Sequence, residues 1–293
     1  MSVRLLMIFT LFIVSCESNN SKSCSEGGSL TFTTFNIQFL SGTVDSGEVP
    51  RSLEDYVAIN TLLESTDADL ITLQEIGALS ALELITEDSS KSWGYEIAIS
   101  GGSQHVAMLY NTEKIVAVDN VHELTVSDGL TLDYWSGVRY PLYAELTTKW
   151  GTEITVIALH LKAGIDESGV LQRANQVNDI VEFISGLGER NIIIAGDLNE
   201  TFDGISEFGD TLQLLEDDNS GGQFLTSEIS EQYTSLEFQD LIDHIWVSDS
   251  MYEFYSTDTV HVLPFDTDAE FDNFIISDHR PVVAVFDFPS TCK

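Results

Sequence analysis

Apolar and polar residues alternate along the chain in a pattern that predicts many short strands separated by a few helices. Residues typical of strands fall in residues 30–37, 69–74, 95–100, 105–110, 115–119, 140–147, 153–160, 191–195, 242–247, 259–262 and 281–288. The spacing of apolar residues predicts helices at residues 53–63, 77–86 and 169–186. This order favours a layered α/β domain, although periodicity alone does not choose among such architectures. No linker or internal repeat occurs, so we expect residues 30–289 to form one domain.

The first residues have the layout of a signal peptide. Arg4 precedes a mainly apolar run over residues 5–14, which the small residues Ser15 and Cys16 follow. The run is shorter than the roughly 20 residues of a membrane-spanning helix, so a permanent transmembrane helix is not expected. The sequence before Cys16 also resembles the lipobox of bacterial lipoproteins, in which the cysteine carries the lipid; ordinary cleavage near Ser15 is the alternative.

The segments that follow from this layout are a signal peptide at residues 1–15 and a polar tether at residues 16–29. We therefore expect an exported protein of the bacterial cell envelope. Its contact with the membrane would be a lipid anchor at Cys16, and without that anchor the protein would be periplasmic or secreted.

Two further cysteines, Cys24 and Cys292, lie near the two ends of the predicted domain. Exported proteins reside in compartments that permit disulfides, and the ends of a domain often lie close together. A disulfide between these residues is therefore one hypothesis. A metal site is less consistent with the sequence, because two cysteines without neighbouring histidines are an incomplete ligand set for zinc.

The composition is strongly acidic, with 12 Lys and Arg against 48 Asp and Glu and a formal net charge of −36. Proteins that bind nucleic acid usually carry clustered Lys and Arg, because neutralising phosphates supplies most of their affinity. The charge therefore argues against tight, non-specific binding of DNA. It does not exclude a nuclease, since salt and divalent cations screen the repulsion of a polyanion.

Polar residues that can bind metals or phosphates stand at the ends of the predicted strands. They are Asn36, Gln74, Glu75, His160, Asp197, Asn199, Asp243, His244, Asp278 and His279. Strand ends open onto loops, where side chains from different strands can converge while the sheet holds their spacing. Each residue alone has a structural explanation, such as an Asx turn, so the interpretation depends on the whole set.

Taken together, seven short segments resemble the endonuclease/exonuclease/phosphatase (deoxyribonuclease I-like) family over residues 31–288. In family order they are Thr34-Phe35-Asn36-Ile37, Leu73-Gln74-Glu75, Arg139-Tyr140-Pro141, Ala158-Leu159-His160-Leu161-Lys162, Gly196-Asp197-Leu198-Asn199, Ile242-Asp243-His244-Ile245 and Ser277-Asp278-His279-Arg280-Pro281-Val282. One tripeptide has little specificity, whereas seven in order are specific. The resemblance implies a four-layer α-β-β-α sandwich of two packed, mainly antiparallel sheets flanked by helices, with the active site at one end.

The resemblance also implies a metal-dependent phosphoric diester hydrolase, most directly an endonuclease that cleaves DNA or RNA by in-line attack of water. A phosphatase or lipid phosphodiesterase of the same fold is one alternative, and a non-catalytic surface lipoprotein is another. The segments at residues 119–135 and 201–234 are expected to determine the substrate. We expect a monomer.

The metal ligands that the resemblance implies are Asn36, Glu75 and Asp278. Oxygen ligands suit Mg²⁺, and Mn²⁺ or Ca²⁺ can replace it. The ion would neutralise charge on a non-bridging or leaving oxygen of the phosphate. The number of metal ions, one or two, stays open.

The catalytic residues that the resemblance implies are His160, Asp197, Asn199, Asp243 and His279. Asp197 would orient or deprotonate the attacking water, and Asn199 would donate a hydrogen bond to the phosphate. His279 would face the scissile phosphate while Asp243 accepts its other ring N–H and fixes the tautomer. His160 would stabilise the phosphoryl oxygens or assist the leaving group.

Two basic residues are expected to bind the phosphate: Arg139 as a fork and Lys162 as a point charge. The resemblance departs at Gln104, the nearest match to a glutamate that partners the first catalytic histidine in deoxyribonuclease I-like members. An amide orients a histidine but does not stabilise its charged form as a carboxylate does. We expect His244 to be structural and assign no role to His105, His122 or His261.

Overall fold

The computed structural model describes residues 24–204, 211–216 and 220–292. The predicted signal peptide, Cys16 and most of the predicted tether lie outside the described residues, so those expectations stay predictions. Among the described residues, no helix combines the length and the apolar composition needed to cross a membrane.

Strands and helices follow each other along the whole described chain. In chain order the strands are β1 (Cys24–Ser25), β2 (Gly28–Leu40), β3 (Leu70–Ile76), β4 (Trp93–Ile97), β5 (His105–Asn111), β6 (Ile115–Glu123), β7 (Leu142–Thr148), β8 (Glu153–His160), β9 (Ile192–Asp197), β10 (Gly222–Phe224), β11 (Asp243–Ser248), β12 (His261–Val262), β13 (Val282–Phe288) and β14 (Thr291–Cys292). The helices are α1 (Leu53–Ser65), α2 (Leu79–Thr86), α3 (Leu132–Trp135), α4 (Glu167–Leu187), α5 (Gln213–Glu216) and α6 (Asp249–Tyr252).

Two six-stranded sheets form the centre of the protein. The first has the spatial order β12-β13-β2-β3-β5-β4, and the second has the order β10-β11-β9-β8-β7-β6. Each sheet contains one parallel pair, β2 with β3 and β8 with β9, and the other neighbours are antiparallel. The predicted pair of mainly antiparallel sheets is confirmed.

Three apolar layers hold the sheets and helices together, because successive residues of the central strands point to opposite faces and both faces are buried. In β8, Val156 and Ala158 belong to the core between the sheets, whereas Ile157 and Leu159 belong to the core under α4. The corresponding core of the first sheet lies under α1 and α2. The four-layer α-β-β-α sandwich expected from the sequence is therefore confirmed.

The differences from the sequence-based elements are local. β6 continues to Glu123 past Asn120, which has a φ of 51° and stands where the pairing with β7 shifts register. This irregularity interrupts the alternation that identifies a strand. The three short helices and β10 lack the length for a recognisable periodicity, and the pattern did not predict them.

The two ends of the described chain are paired. Cys24 and Cys292 stand opposite each other in the antiparallel pair of β1 and β14. Residues opposed in this way have Cα atoms about 4.5–5.5 Å apart, which is within the range for a disulfide. The disulfide stays a prediction, and mass spectrometry of the unreduced protein would test it.

Candidate active site

The sheet registers bring the strand ends with polar residues to one end of the sandwich. In the second sheet, His160, Asp197 and Asp243 are direct neighbours across β8, β9 and β11. In the first sheet, Asn36 stands beside Gln74 in the parallel pair of β2 and β3, one residue before Glu75. The predicted convergence of these side chains follows from the pairing of the strands.

Backbone geometry fixes the spacing of β8 and β9 at this end. Gly196 has a φ of 151°, and a Cβ there would lie 1.9 Å from the carbonyl oxygen of Leu159. Only glycine permits this approach, which sets the positions of His160 and Asp197 one residue further along. Glu75 and Asn199 also have positive φ values, 63° and 52°, and such strain in non-glycine residues is concentrated at functional sites.

Asn36 links the two sheets at the centre of the site. Its side-chain amide donates to Asp197 Oδ2 at 3.0 Å and to Glu75 Oε1 at 3.4 Å. His160 Nε2 lies 3.4 Å from Asp197 Oδ2 and 3.8 Å from Glu75 Oε1. Residues from four strands therefore surround one small volume.

His279 and Asp243 form a buried pair. The Nδ1–H of His279 donates to Asp243 Oδ2 at 2.7 Å, and Asp243 is fully buried. Burial alone would lower the pKa of His279, but the charge and hydrogen bond of Asp243 raise it to about 10. His279 is therefore an imidazolium at neutral pH, and its Nε2–H is a donor for a negatively charged ligand.

Asp197 is the second buried carboxylate of the cluster. Burial and the nearby charge of Asp243 raise the pKa of Asp197 to about 7, so it takes and releases a proton near neutral pH. Ligand atoms of Asp197, Asp243 and His279 lie within 4.8 Å of one another. This group suits proton transfer better than metal binding, because a protonated His279 has no lone pair for an ion.

Two of the three predicted metal ligands, Glu75 and Asp278, are carboxylates, which a hard divalent cation prefers, whereas Asn36 Oδ1 accepts from the backbone N–H of Gln38 at 3.0 Å. Glu75 is held by the backbone N–H of Phe39, which donates to Oε2 at 3.0 Å. Neither carboxylate has a Lys or Arg nitrogen within 4.0 Å among the described residues, so their charge is not neutralised by a close ion pair. Asp278 is half-buried beside His279, and these oxygen donors would hold the ion that the family implies.

The ring nitrogen Nδ1 of His160 lacks the hydrogen bond with Gln104 that the family resemblance led us to expect. Burial and the positive charges of Arg139 and His279 lower its pKa well below the usual range, so the ring is neutral. Its Nδ1 has no hydrogen-bond partner among the described residues. Gln104 Oε1 instead accepts from Arg139 at 3.4 Å, so its contact is with Arg139, whereas the family's glutamate partners the histidine. A neutral His160 orients or donates a hydrogen bond but is not a strong acid.

The predicted phosphate-binding residues lie on the loops around these strands. Arg139 is almost fully buried, donates to Leu161 O at 3.0 Å, and its Nε has no partner among the described residues. Asn199 donates to the same carbonyl at 3.2 Å, and its backbone N–H donates to Asp197 Oδ1 at 2.9 Å. Lys162 is half-buried, and its backbone N–H donates to Gln176.

His244 is structural, as its position in the pattern indicated. It is fully buried, its Nε2–H donates to Glu200 O, and its Nδ1 accepts from Thr226 Oγ1, each at 2.9 Å. Burial lowers the pKa of His244 to about 4, so it stays neutral. Both ring nitrogens are occupied, and it has no free group for chemistry.

Two residues that sequence reasoning missed position the site. Arg51 is fully buried and donates to the carbonyls of Ile37, Gln38, Ile275 and Ile276, at distances between 2.7 and 3.2 Å. It thus joins the segment after Asn36 to the segment before Asp278. Ser277 adds a second link, because its hydroxyl donates to Asn36 O and accepts from the backbone N–H of His279.

Replacing Arg51 with Met should lower the free energy of unfolding by about 3 kcal/mol or more, because it leaves several buried carbonyls without a donor. Urea unfolding monitored by circular dichroism measures this. Arg190→Met is the matched control, since the exposed ion pair of Arg190 with Glu145 is expected to contribute less than about 1 kcal/mol. Equal losses in the two variants would contradict the role assigned to Arg51.

The pKa values of Asp197 and His279 predict a bell-shaped pH profile. Asp197 acts as a base only when deprotonated, so activity should rise as the pH passes about 7. His279 must be protonated, so activity should fall as the pH passes about 10. Initial rates on a small phosphodiester between pH 5 and 11 test this prediction, and an activity that falls from pH 6 to pH 8 would contradict it.

An α-β-β-α sandwich with carboxylates and imidazoles gathered at one end of both sheets defines a class of hydrolases. The chain belongs to the Endonuclease/Exonuclease/phosphatase family, whose model matches residues 33–279. A search of curated proteins finds no match to the sequence.

Solved structures show the same fold at low sequence identity. TDP2 from D. rerio, humanized by 14 mutations, is 16% identical and has a TM-score of 0.66; the match covers 88% of this chain and 98% of that one. A family protein from Bacteroides thetaiotaomicron is 18% identical with a TM-score of 0.63, covering 90% and 99%. The human Nocturnin catalytic domain with bound sulfate is 15% identical with a TM-score of 0.62, covering 90% and 95%.

Proposed function

We propose that this chain is an exported, divalent-metal-dependent phosphodiesterase that cleaves a P–O bond by in-line attack of water. The observation that carries the proposal is the buried pair of Asp243 and His279, 2.7 Å apart, beside the titratable carboxylate of Asp197. The pair supplies a fixed positive charge and Asp197 supplies a base. Hydrolysis of a phosphodiester needs both, because the ester is itself anionic and water is a weak nucleophile.

Each protein group has a defined part in this proposal. Asp197 accepts a proton from the attacking water as its oxygen bonds to phosphorus, and the hydrogen bond from Asn36 orients its carboxylate. The bond from phosphorus to the leaving oxygen breaks, and that oxygen takes a proton from solvent water. The Nε2–H of His279 donates to an oxygen of the phosphate. Asn199 keeps one side-chain N–H for the same purpose, and neutral His160 offers a hydrogen bond on the other side of Asp197.

A divalent cation on Asn36, Glu75 and Asp278 would neutralise negative charge on the phosphate oxygens. The protein holds the ligand oxygens of Asn36, Glu75 and Asp278 in place. Glu75 is fixed by Phe39 N–H, and Arg51 and Ser277 connect the loops that carry Asn36 and Asp278. Mg²⁺ suits this donor set, and Mn²⁺ or Ca²⁺ can replace it.

The proposal also covers where the protein acts and which substrate it cleaves. The signal-peptide layout and the lipobox resemblance support export with a lipid anchor at Cys16. The family resemblance favours DNA or RNA as substrate, whereas the charge around the site favours a smaller phosphodiester.

An assay of the chain from residue 17 onward tests the catalytic part. Plasmid DNA, RNA and bis(p-nitrophenyl) phosphate are incubated with Mg²⁺, Mn²⁺, Ca²⁺ or a chelator. We expect turnover of at least one of these phosphodiesters that requires a divalent ion. A folded protein that turns over none of them with any of the ions would refute the proposal, and a non-catalytic binding lipoprotein would then be the better interpretation.

A further inference from the structure

Few positively charged side chains lie near the active site, and this limits the number of substrate phosphates that the site can bind. The chain has 12 Lys and Arg, and three of them, Arg4, Lys22 and Lys293, lie outside the described residues. The two internal segments outside the described residues, 205–210 and 217–219, contain neither Lys nor Arg. The remaining cations all have defined surroundings.

Four of these cations lie at the end of the sandwich opposite to the active site. Lys91 and Lys114 bind Asp69, which precedes β3, whereas Glu75 is near the other end of that strand. Lys149 follows β7 in the turn before β8, and Arg190 precedes β9. Asp69 and Glu75 stand at opposite ends of β3, and Arg190 and Asp197 at opposite ends of β9, so about a strand length separates these cations from the catalytic residues.

Three more cations lie near the catalytic end but are bound by the protein. Arg51 donates to four backbone carbonyls. Arg173 is fully buried and pairs with Glu200 at 3.0 Å. Arg280 pairs with Asp266 at 2.6 Å and stacks on the ring of Tyr233. Among the described residues, Lys162 and Arg139 are left to contact a substrate; Arg139 also donates to Gln104 and Leu161 O, but its Nε has no partner.

The loops around the site add negative charge. Exposed carboxylates on the segments that border the catalytic strand ends include Asp45, Glu48, Asp133, Asp166, Asp203, Glu237 and Asp272. Proteins that bind polynucleotides neutralise several phosphates with Lys and Arg, and this supplies most of the affinity. Two cations surrounded by carboxylates are enough to bind one phosphate but not the several phosphates of a polynucleotide.

The same loops expose large apolar side chains. Phe238 is 63% exposed and lies three residues after Ser235, which is bridged to His279. Ile165 is 66% exposed on the segment that follows His160 and Lys162, and Ile99 is 86% exposed between β4 and β5. The opening of the site therefore offers apolar contact beside a cradle for one phosphate.

We propose that the site is selective for low-molecular-weight phosphodiesters that carry a single phosphate and an apolar or aromatic substituent, and that it discriminates against polynucleotides. The inference rests on the proposed phosphodiesterase activity. The two cations and His279 bind the phosphate, Phe238 contacts the substituent, and the acidic loops repel the further phosphates of a polymer.

Two comparisons test the proposal with the purified protein. The first compares thymidine oligonucleotides with one phosphodiester and with nineteen, at several NaCl concentrations. We expect kcat/KM per bond to be no higher for the longer chain. The slope of log(kcat/KM) against log[NaCl] should be no steeper than about −0.7, the slope for one neutralised phosphate of a single strand. A tenfold preference for the longer chain with a slope steeper than about −3 would overturn the proposal.

The second comparison uses bis(p-nitrophenyl) phosphate and methyl p-nitrophenyl phosphate, which have the same leaving group but differ in the other substituent. Phe238→Ser should lower the ratio of their kcat/KM values at least about fivefold, the effect of losing one stacking contact. Val116→Ser is the matched control, since Val116 is 60% exposed on β6, distant from the site. An unchanged ratio in Phe238→Ser overturns the assigned contact, whereas absence of metal-dependent turnover of every diester would refute the proposed phosphodiesterase function itself.

Discussion

Replacing His279 with Ala should lower kcat for a small phosphodiester by about a thousandfold, within the range for losing one group that acts in the transition state. The imidazolium is a positive charge that a fully buried carboxylate holds in a fixed orientation, 2.7 Å from Asp243. The change also leaves Asp243 buried without its partner, so circular dichroism and thermal unfolding must accompany the rate measurement.

Asp243→Asn separates the charge of His279 from its position. The amide oxygen still accepts the Nδ1–H, but the carboxylate that raises the pKa of His279 to about 10 is gone, so the alkaline limb of the pH profile should move to lower pH. His261→Ala serves as the control, since His261 is exposed on β12 and should have wild-type activity. More than a tenth of wild-type kcat in His279→Ala would contradict the role of His279.

The order of strand-like and helical segments predicted a layered α/β domain, whereas the four-layer sandwich followed from the family resemblance. Residues 191–195 form a nearly continuous apolar run, as expected for a strand covered on both sides. The pairing was not derivable from periodicity, since the register of β8 with β9 depends on the close approach at Gly196. The family motifs supplied the architecture that the pattern left open.

The candidate site was predictable where the residues stand in short motifs at strand ends. Asp197 and His160 become neighbours once β8 and β9 pair in parallel. Arg51 has no such signal, because its partners at Ile275 and Ile276 are more than 220 residues away in the chain. The contact of Gln104 with Arg139 depends likewise on how two loops pack, and the sequence alone does not specify that.

Glu75→Gln should remove most of the effect that divalent ions have on the activity and the thermal stability of the protein. The amide keeps the shape of Glu75 and an acceptor for the Phe39 N–H, which now donates at 3.0 Å, so the local backbone with its φ of 63° is preserved. The change removes one negative charge from the ligand set and the oxygen that accepts from Asn36 at 3.4 Å. We expect metal affinity to fall at least about 10-fold, because mutation of residues that only support a ligand already costs about 10- to 100-fold, and kcat at saturating substrate should fall with it.

Thermal unfolding measures the metal affinity without relying on activity. An ion that binds only the folded state adds about 2.7 kcal/mol at 100 times its dissociation constant, so Mg²⁺ or Mn²⁺ should raise the Tm of the wild-type protein and shift that of Glu75→Gln much less. Glu54→Gln is the matched control, because Glu54 is an exposed residue of the first turn of α1. Because both variants lose one carboxylate, general screening of the chain's negative charge by the cation affects them equally. Equal metal-induced shifts in both would place the ion elsewhere and would contradict Glu75 as a ligand.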